Sequence, residues 1–168
     1  HVERLEIFTL EGLAVQFGGA AGTLDKLGDK AGAVRAALAA ELGLADTPQW
    51  HSQRDRIMEL AGLLTAVTGS LGKIGQDIAL MADRGGEIAL AGGGGSSAMP
   101  HKQNPVAAET LVTLARFNAA QLGGLAQAAV HEQERSGAAW TLEWLILPQM
   151  VVACGAALRL AGTLLSSI

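Results

Sequence analysis

Residues 92–105 contain the side chains whose types and spacing most clearly indicate chemistry. The segment reads Gly-Gly-Gly-Gly-Ser-Ser-Ala-Met-Pro-His-Lys-Gln-Asn-Pro. Asn104 and Pro105 suit the N-cap and the first position of a following helix, where free backbone N–H groups and the positive end of the helix dipole are concentrated. Lys102 adds a full positive charge nearby. The segment therefore predicts a site that binds an anion.

Ser96 and Ser97 lie in the middle of this segment. A serine hydroxyl is a weak base, but an adjacent cation and a helix N-terminus stabilise its alkoxide. Such a serine could remove a proton from the carbon next to a substrate carboxylate. The preceding glycines would let the backbone close over a ligand and reopen. We therefore predict proton transfer at an electropositive loop.

Residues 92–105 have two other interpretations. The segment could be a flexible linker between two helices that ends in a helix cap, because long loops without secondary structure are either functional or disordered. A phosphate-binding loop is disfavoured, because that motif needs Gly-Lys followed by Ser or Thr, whereas Lys102 is followed by Gln103.

Outside this segment, Arg54 is suited to bind a substrate carboxylate, because a guanidinium group can do so through two parallel hydrogen bonds. The alternative for Arg54 is a surface ion pair with a neighbour such as Glu59. Glu143 could be paired with an arginine or simply solvated. The flanking Trp140 and Trp144 are expected to anchor a core or an interface rather than to form a substrate platform.

The four histidines predict neither a metal site nor a cofactor. They are His1, His51, His101 and His131. No two of them lie three or four residues apart, so no helix face presents a pair of metal ligands. His101 lies among the residues of the serine segment and could contact substrate or hydrogen-bond within the loop.

Long helices are predicted to position these residues, because apolar residues recur at steps of three and four. The predicted helices cover residues 29–42, 51–84, 106–134 and 147–165. Gly43 is expected to be the C′ residue of the first of them. No alternating pattern predicts a strand, so the expected fold class is all-α, a bundle of long antiparallel helices.

Two features predict how these helices pack. Residues 2–17 carry two apolar faces, which predicts burial from both sides, one of them against another chain. Four glycines interrupt the helix over residues 51–84 and would let neighbouring helices approach closely. They are Gly62, Gly69, Gly72 and Gly75.

Composition limits the class of protein. Of the 168 residues, 49% are apolar and 17% charged, which excludes a disordered chain. The net charge of −4, without a basic run, excludes nucleic acid as a partner. The longest uncharged apolar stretch, residues 144–158, is shorter than the roughly 20 residues of a membrane span, and no signal peptide is visible. Cys154 is expected to be a buried small hydrophobic residue in a cytoplasmic protein.

Residues 95–105, Gly-Ser-Ser-Ala-Met-Pro-His-Lys-Gln-Asn-Pro, resemble the signature of the fumarase/aspartase superfamily. The match is long and specific. The resemblance implies that Ser96 is the catalytic serine on a mobile loop. The substrate-binding residues expected in this segment are Ser97, Met99, Lys102 and Asn104.

Residues 48–56 and 132–144 look like the bacterial cycloisomerase branch of the superfamily. The second stretch lacks the Trp-x-Glu-Arg-Asp-x-Ser-His pattern that is usual in adenylosuccinate lyases. The implied reaction, in aromatic catabolism, is addition of one carboxylate of a small tricarboxylate across a conjugated double bond to form a lactone, with no metal or cofactor. The alternatives are a fumarate-releasing lyase of the adenylosuccinate lyase type and a non-catalytic helical scaffold.

The resemblance also implies an organisation for the whole subunit. Residues 1–168 would be the central helical-bundle domain, an internal fragment without the N-terminal region and the small C-terminal domain of the superfamily. Neither end of the sequence carries a helix start or stop signal, which agrees with a fragment. The expected assembly is a homotetramer in which three subunits contribute to each active site.

Overall fold

The computed structural model describes residues 1–84, 88, 94–95 and 103–168. Helices dominate these residues, which confirms the predicted all-α fold class. The α-helices are α1 (Val2–Ile7), α2 (Ala31–Leu42), α3 (Asp55–Arg84), α4 (Val106–Ala128) and α5 (Gly137–Leu165). A π-helical turn (Phe8–Gly12) follows α1, and a 3₁₀-helical stretch (Asp25–Lys30) precedes α2.

A short antiparallel ladder lies before α4. It pairs β1 (Gly94–Gly95) with β2 (Gln103–Asn104), with Gly94 opposite Asn104. The ladder pairs Gly95 with Gln103. The predicted catalytic serine, Ser96, lies between these two residues in the sequence.

The chain forms two compact units, each built from two stretches of sequence. Unit 1 contains His1–Leu63 and Gly124–Leu145, and unit 2 contains Leu64–Gly123 and Ile146–Ile168. Each of the three long helices, α3 to α5, contributes residues to both units.

In unit 2, α3 and α4 pack as antiparallel neighbours. Gly72 of α3 lies against Ala115 of α4, and Gly75 lies against Leu111 and Ala108, so residue numbers rise in one helix as they fall in the other. The buried core of this unit draws apolar residues from all three long helices. It consists of Ile78, Ala108, Leu111, Ala157, Ala161 and Leu164.

A buried polar contact also links the three helices of unit 2. The Asn118 side chain of α4 donates from Nδ2 to Thr68 Oγ1 of α3 at 3.4 Å and to the Met150 carbonyl of α5 at 3.2 Å. The Thr68 hydroxyl in turn donates within its own helix to the carbonyl of Leu64 at 3.0 Å. Because buried polar groups are costly unless hydrogen-bonded, this contact favours one arrangement of the three helices.

The predicted role of the α3 glycines is confirmed for two of them. A Cβ atom on Gly72 would lie 2.6 Å from Ala115 Cβ, and one on Gly75 would lie 2.5 Å from the Ala108 carbonyl oxygen. The predicted role is not confirmed for Gly62 and Gly69, where a Cβ atom would meet nothing within 4 Å among the residues of this chain that the structure describes.

Replacing Gly75 with alanine is therefore expected to lower the free energy of unfolding by about 1–3 kcal/mol, because the added methyl group collides with backbone that cannot move aside. The matched control is Gly69→Ala in the same helix, which is expected to be neutral or stabilising by up to about 1 kcal/mol because alanine favours helix. Urea titrations of both variants measure the difference. Equal effects of the two substitutions would contradict the close approach at Gly75.

Several helices begin or end at residues other than those predicted from the sequence. α3 begins at Asp55, not at residue 51, because the carbonyl of Arg54 is the first helical acceptor and the preceding residues form a loop. α4 ends at Ala128, before the predicted residue 134. The connection to α5 contains Gln133 in a left-handed conformation, with φ of 52°. α2 begins at Ala31, not at residue 29, and ends as predicted at Leu42, followed by a left-handed Gly43 with φ of 65°.

Residues 2–17 do not form one helix. Helical geometry ends at Gly12, and Ala14 forms a parallel bridge with Ala45. Phe8 and Val15 are buried, whereas Ile7 and Leu10 are exposed in the single chain. The predicted burial is therefore confirmed for Phe8 and Val15 within this chain, and burial of the other apolar face against another chain stays a prediction.

Two helices reach the length and hydropathy of a membrane span. The segments are Asp55–Asp83, with mean hydropathy 1.3, and Gly137–Leu165, with mean hydropathy 1.6. The second contains the apolar stretch over residues 144–158, and it is much longer than that stretch. Core helices of soluble bundles have the same length and composition, and both helices contribute residues to the buried core. Cys154 is buried as predicted, and burial raises the pKa of its thiol.

Candidate active site

Unit 1 contains a cleft of about 290 Å³. Three tryptophans and three basic side chains contribute to its walls. The lining residues are Gln16, Trp50, His51, Arg54, Ile57, Arg135, Trp140, Glu143 and Trp144. Polar and charged side chains set among aromatic walls are typical of a small-molecule site.

The loop before α3 is held in place by residues near the start of the chain. The Trp50 backbone N–H donates to Gln16 Oε1 at 3.1 Å, and the Trp50 indole Nε1 donates to the Val15 carbonyl at 3.2 Å. The bridge between Ala14 and Ala45 aligns the two segments. Trp50, His51 and Arg54 are thereby fixed at one wall of the cleft.

Arg54 forms a buried ion pair with Glu143. Nε and Nη2 of Arg54 donate to the two carboxylate oxygens of Glu143 at 2.9 and 2.5 Å, and both side chains are less than 10% exposed. The guanidinium group also lies over the Trp50 ring, 4.8 Å from its centroid. Glu143 is thus paired with an arginine, and the alternative of a surface pair between Arg54 and Glu59 is wrong.

Arg135 is the second cation of the cleft. Its guanidinium group stacks on Trp140, 3.8 Å from the ring centroid, and Trp140 in turn contacts Trp144 with ring centroids 4.5 Å apart. No carboxylate in residues 1–84 or 103–168 forms an ion pair with Arg135. Because Glu143 neutralises Arg54, Arg135 leaves the cleft with one uncompensated positive charge that suits an anionic ligand.

His51 is buried in the same wall, with 6% of its surface exposed. Burial lowers the pKa of His51 below its ordinary value of 6.5, and the positive charges of Arg135 and Arg54 lower it further. The imidazole is therefore neutral at physiological pH.

The lowered pKa of His51 predicts a loss of stability in acid. Between the folded-state pKa and the unfolded value of 6.5, the unfolded chain binds more protons, so the free energy of unfolding decreases as the pH falls through 6.5. Urea titrations between about pH 5 and pH 7 should show a weaker pH dependence for His51→Gln than for the unaltered protein. His1→Gln is the control, because His1 is exposed. An equal pH dependence in all three proteins would contradict the expected protonation of His51.

Sequence reasoning missed the role of the glycines beside this wall. A Cβ atom on Gly18 would lie 2.8 Å from Gln49 Cβ and 2.9 Å from His51 Cε1, and Gly22 adopts a φ of +83°. Both positions therefore need glycine, one for close approach and one for backbone conformation. The run Gly-Gly-Ala-Ala-Gly over residues 18–22 was the available signal.

The serine segment is only partly described. Ser96, Ser97, Met99, His101 and Lys102 lie outside the described residues, so their predicted roles stay predictions.

Asn104 belongs to unit 2 and lies in β2. The prediction of Asn104 as the N-cap is off by one residue, because the Pro105 carbonyl accepts the first helical hydrogen bond, from Glu109 N–H at 2.9 Å, and α4 begins at Val106. The ladder pairing of Asn104 with Gly94 extends the backbone there, which delays the helix.

The described residues contain no cluster of potential metal ligands. No group of three or more His, Cys, Asp or Glu residues occurs there in an arrangement that could hold a metal ion. The groups that the cleft of unit 1 presents to a ligand are guanidinium, imidazole and indole groups.

Known proteins are similar to this chain in both sequence and fold. A family model described as lyase matches residues 1–119. The chain is 46% identical to 3-carboxy-cis,cis-muconate cycloisomerase of Pseudomonas aeruginosa, over 100% of this chain and 38% of that protein. It is 45% identical to the protein of the same name from Bradyrhizobium diazoefficiens, over 92% of this chain and 36% of that protein.

The crystal structure of 3-carboxy-cis,cis-muconate lactonizing enzyme from Pseudomonas putida matches with a TM-score of 0.81 and 41% identity, over 97% of this chain and 37% of that chain. The chain thus spans less than two-fifths of the length of these relatives. Because the family model covers most of the chain and the solved fold agrees along its length, this chain belongs to the lyase family, the fumarase/aspartase superfamily.

Proposed function

We propose that the chain is the central part of an enzyme that interconverts 3-carboxy-cis,cis-muconate and 4-carboxymuconolactone in protocatechuate (β-ketoadipate) catabolism. The observation that carries this proposal is the 46% identity to a cycloisomerase along the whole chain. The uncompensated charge of Arg135 and the aromatic walls of the cleft agree with an anionic, conjugated substrate.

The reaction places specific demands on the site. An oxygen of one substrate carboxylate forms a C–O bond to a conjugated carbon, and the electron pair of the double bond moves to the adjacent carbon. The neighbouring carboxylate accepts this charge as an enediolate, and the carbon then takes a proton. One proton is consumed overall, because a carboxylate becomes an ester. Positive groups that face the enediolate therefore stabilise the transition state more than the substrate.

Residues of the serine segment are assigned to these steps. Ser96 exchanges the carbon-bound proton, and Lys102 with the N-terminus of α4 beside Asn104 stabilises the enediolate. Ser97 and Met99 contact the substrate within the same segment. No cofactor or metal takes part in this scheme.

Arg54 is assigned to substrate binding as well. Glu143 occupies the edge of the guanidinium group formed by Nε and Nη2, so a substrate carboxylate would meet Arg54 through Nη1. In the single chain, Nη1 makes a contact of 3.5 Å with the His51 carbonyl, which is at the limit of a hydrogen bond.

The enzyme is proposed to be a cytoplasmic homotetramer with active sites shared between subunits. Apolar side chains on α5 that are exposed in the single chain, including Val152 and Leu158, support burial against further copies. Light scattering of the full-length protein should give the mass of four subunits. A monomer that turns over substrate would overturn the shared site.

The proposed activity is tested on the full-length protein with two substrates. We expect 3-carboxy-cis,cis-muconate to lose its ultraviolet absorbance as the lactone forms, and adenylosuccinate to be left intact. Release of fumarate from adenylosuccinate, without reaction of the muconate, would overturn the assignment.

A further inference from the structure

We infer that His51 is a carboxylate-binding residue of the cleft that takes up a proton when the anionic ligand enters. This inference rests on the proposed function for the class of ligand, a small tricarboxylate. It assigns to His51 a role in substrate binding that the fold and the serine segment do not by themselves require.

The position of His51 supports a role in ligand binding. The side chain lines the cleft but is otherwise buried, and Gly18 leaves space for the imidazole that any larger residue would fill. A purely apolar wall would use an apolar side chain at this position, because burying a polar ring is costly unless it finds a partner.

The charged groups around His51 explain why its proton depends on the ligand. From the loop before α3 it faces Arg54, and from the segment before α5 it faces Arg135; Glu143 of α5 lies in the same cleft and is engaged by Arg54. The two guanidinium charges, together with burial, lower the pKa of the imidazole while the cleft is empty. A carboxylate that binds beside these groups opposes their charge, which raises the pKa again.

The proton bound with the ligand also agrees with the stoichiometry of the proposed reaction. Lactone formation consumes one proton for each substrate molecule, as the conversion of a carboxylate to an ester requires. A proton that moves from solvent to a ring nitrogen of His51 on binding enters the enzyme together with the substrate. No covalent bond to His51 forms or breaks.

Calorimetry tests this coupling without turnover. The probe is benzene-1,2,4-tricarboxylate, a planar tricarboxylate that cannot form a lactone. Titrations of the full-length enzyme at about pH 7 in PIPES and in Tris, which differ in protonation enthalpy, give the number of protons taken up. We expect net uptake that approaches about one proton per site in the unaltered enzyme and no uptake in His51→Gln. Binding by the variant should weaken roughly tenfold.

His1→Gln is the control variant and should keep full proton uptake, because His1 is exposed and does not line the cleft. His51→Asn provides a second variant if His51→Gln does not fold. Absence of uptake in the unaltered enzyme, or uptake in the His51 variants equal to that of the unaltered enzyme, would overturn the inference.

This outcome is separable from that of the proposed function. Turnover of the muconate, but no proton uptake when benzene-1,2,4-tricarboxylate binds, would leave the proposed function standing and remove the role of His51. Proton uptake with the tricarboxylate, but no turnover of the muconate, would do the reverse.

Discussion

Replacing Ser96 with alanine in the full-length enzyme is expected to reduce turnover of 3-carboxy-cis,cis-muconate by about 10²–10⁴-fold, the contribution of a positioned acid or base. Alanine removes the only atom through which this side chain could exchange a proton with the substrate carbon. The methyl group is smaller than the hydroxymethyl group, so we expect no change in assembly. Initial rates from the loss of muconate absorbance measure the effect, and circular dichroism and light scattering establish that the variant folds.

Ser166→Ala is the matched control for this experiment. Ser166 lies after the end of α5, is exposed, and its hydroxyl donates to the Gly162 carbonyl at 2.9 Å. We expect its rate to equal that of the unaltered enzyme. If Ser96→Ala also kept the full rate, the assigned proton transfer would be wrong. If neither the unaltered enzyme nor Ser96→Ala turned over any substrate, and their assembly and stability were identical, the chain would instead be a non-catalytic helical scaffold.

The helices could be predicted from sequence because their determinants are local. The spacing of apolar residues from Ile57 to Met81 follows from the geometry of one helix that buries one face, and α3 covers all of it. The left-handed Gly43 was predictable for the same reason, because the conformation of a helix end depends on the residues beside it.

The cleft could not be predicted in the same way, because its contacts join residues far apart in the chain. Arg54 and Glu143 are separated by 89 positions, and nothing in the spacing of either residue identifies the other. Gly18 likewise acquires its role only when Gln49 and His51 are brought against it. The start of α3 was misplaced for a related reason, since the apolar pattern begins only at Ile57 and does not mark where the preceding loop ends, whereas Gln16 holds Trp50 in that loop.

The buried pair of Arg54 and Glu143 gives a second large expected effect. Replacing Glu143 with alanine leaves a guanidinium group buried without its carboxylate, so we expect the free energy of unfolding to fall by about 3–5 kcal/mol. By contrast, Arg35→Met, which breaks the more exposed pair with Asp46 in the same unit, should cost at most about 1 kcal/mol. Urea titration of the full-length enzyme measures both. A loss for Glu143→Ala no larger than that of Arg35→Met would show that the buried pair carries no special stability.

A stability measurement does not show whether the pair of Arg54 and Glu143 also takes part in substrate binding. The double variant Arg54→Met with Glu143→Met makes that distinction. Replacing both members of a buried ion pair with apolar residues of similar size is often neutral for stability, so we expect the double variant to unfold close to the unaltered enzyme. It nevertheless lacks the guanidinium group that is proposed to meet a substrate carboxylate. We therefore expect KM for the muconate to rise by roughly tenfold or more. If the double variant were as stable and as active as the unaltered enzyme, Arg54 would serve only the fold, and Arg135 would be left as the cation of the cleft that an anionic substrate could meet.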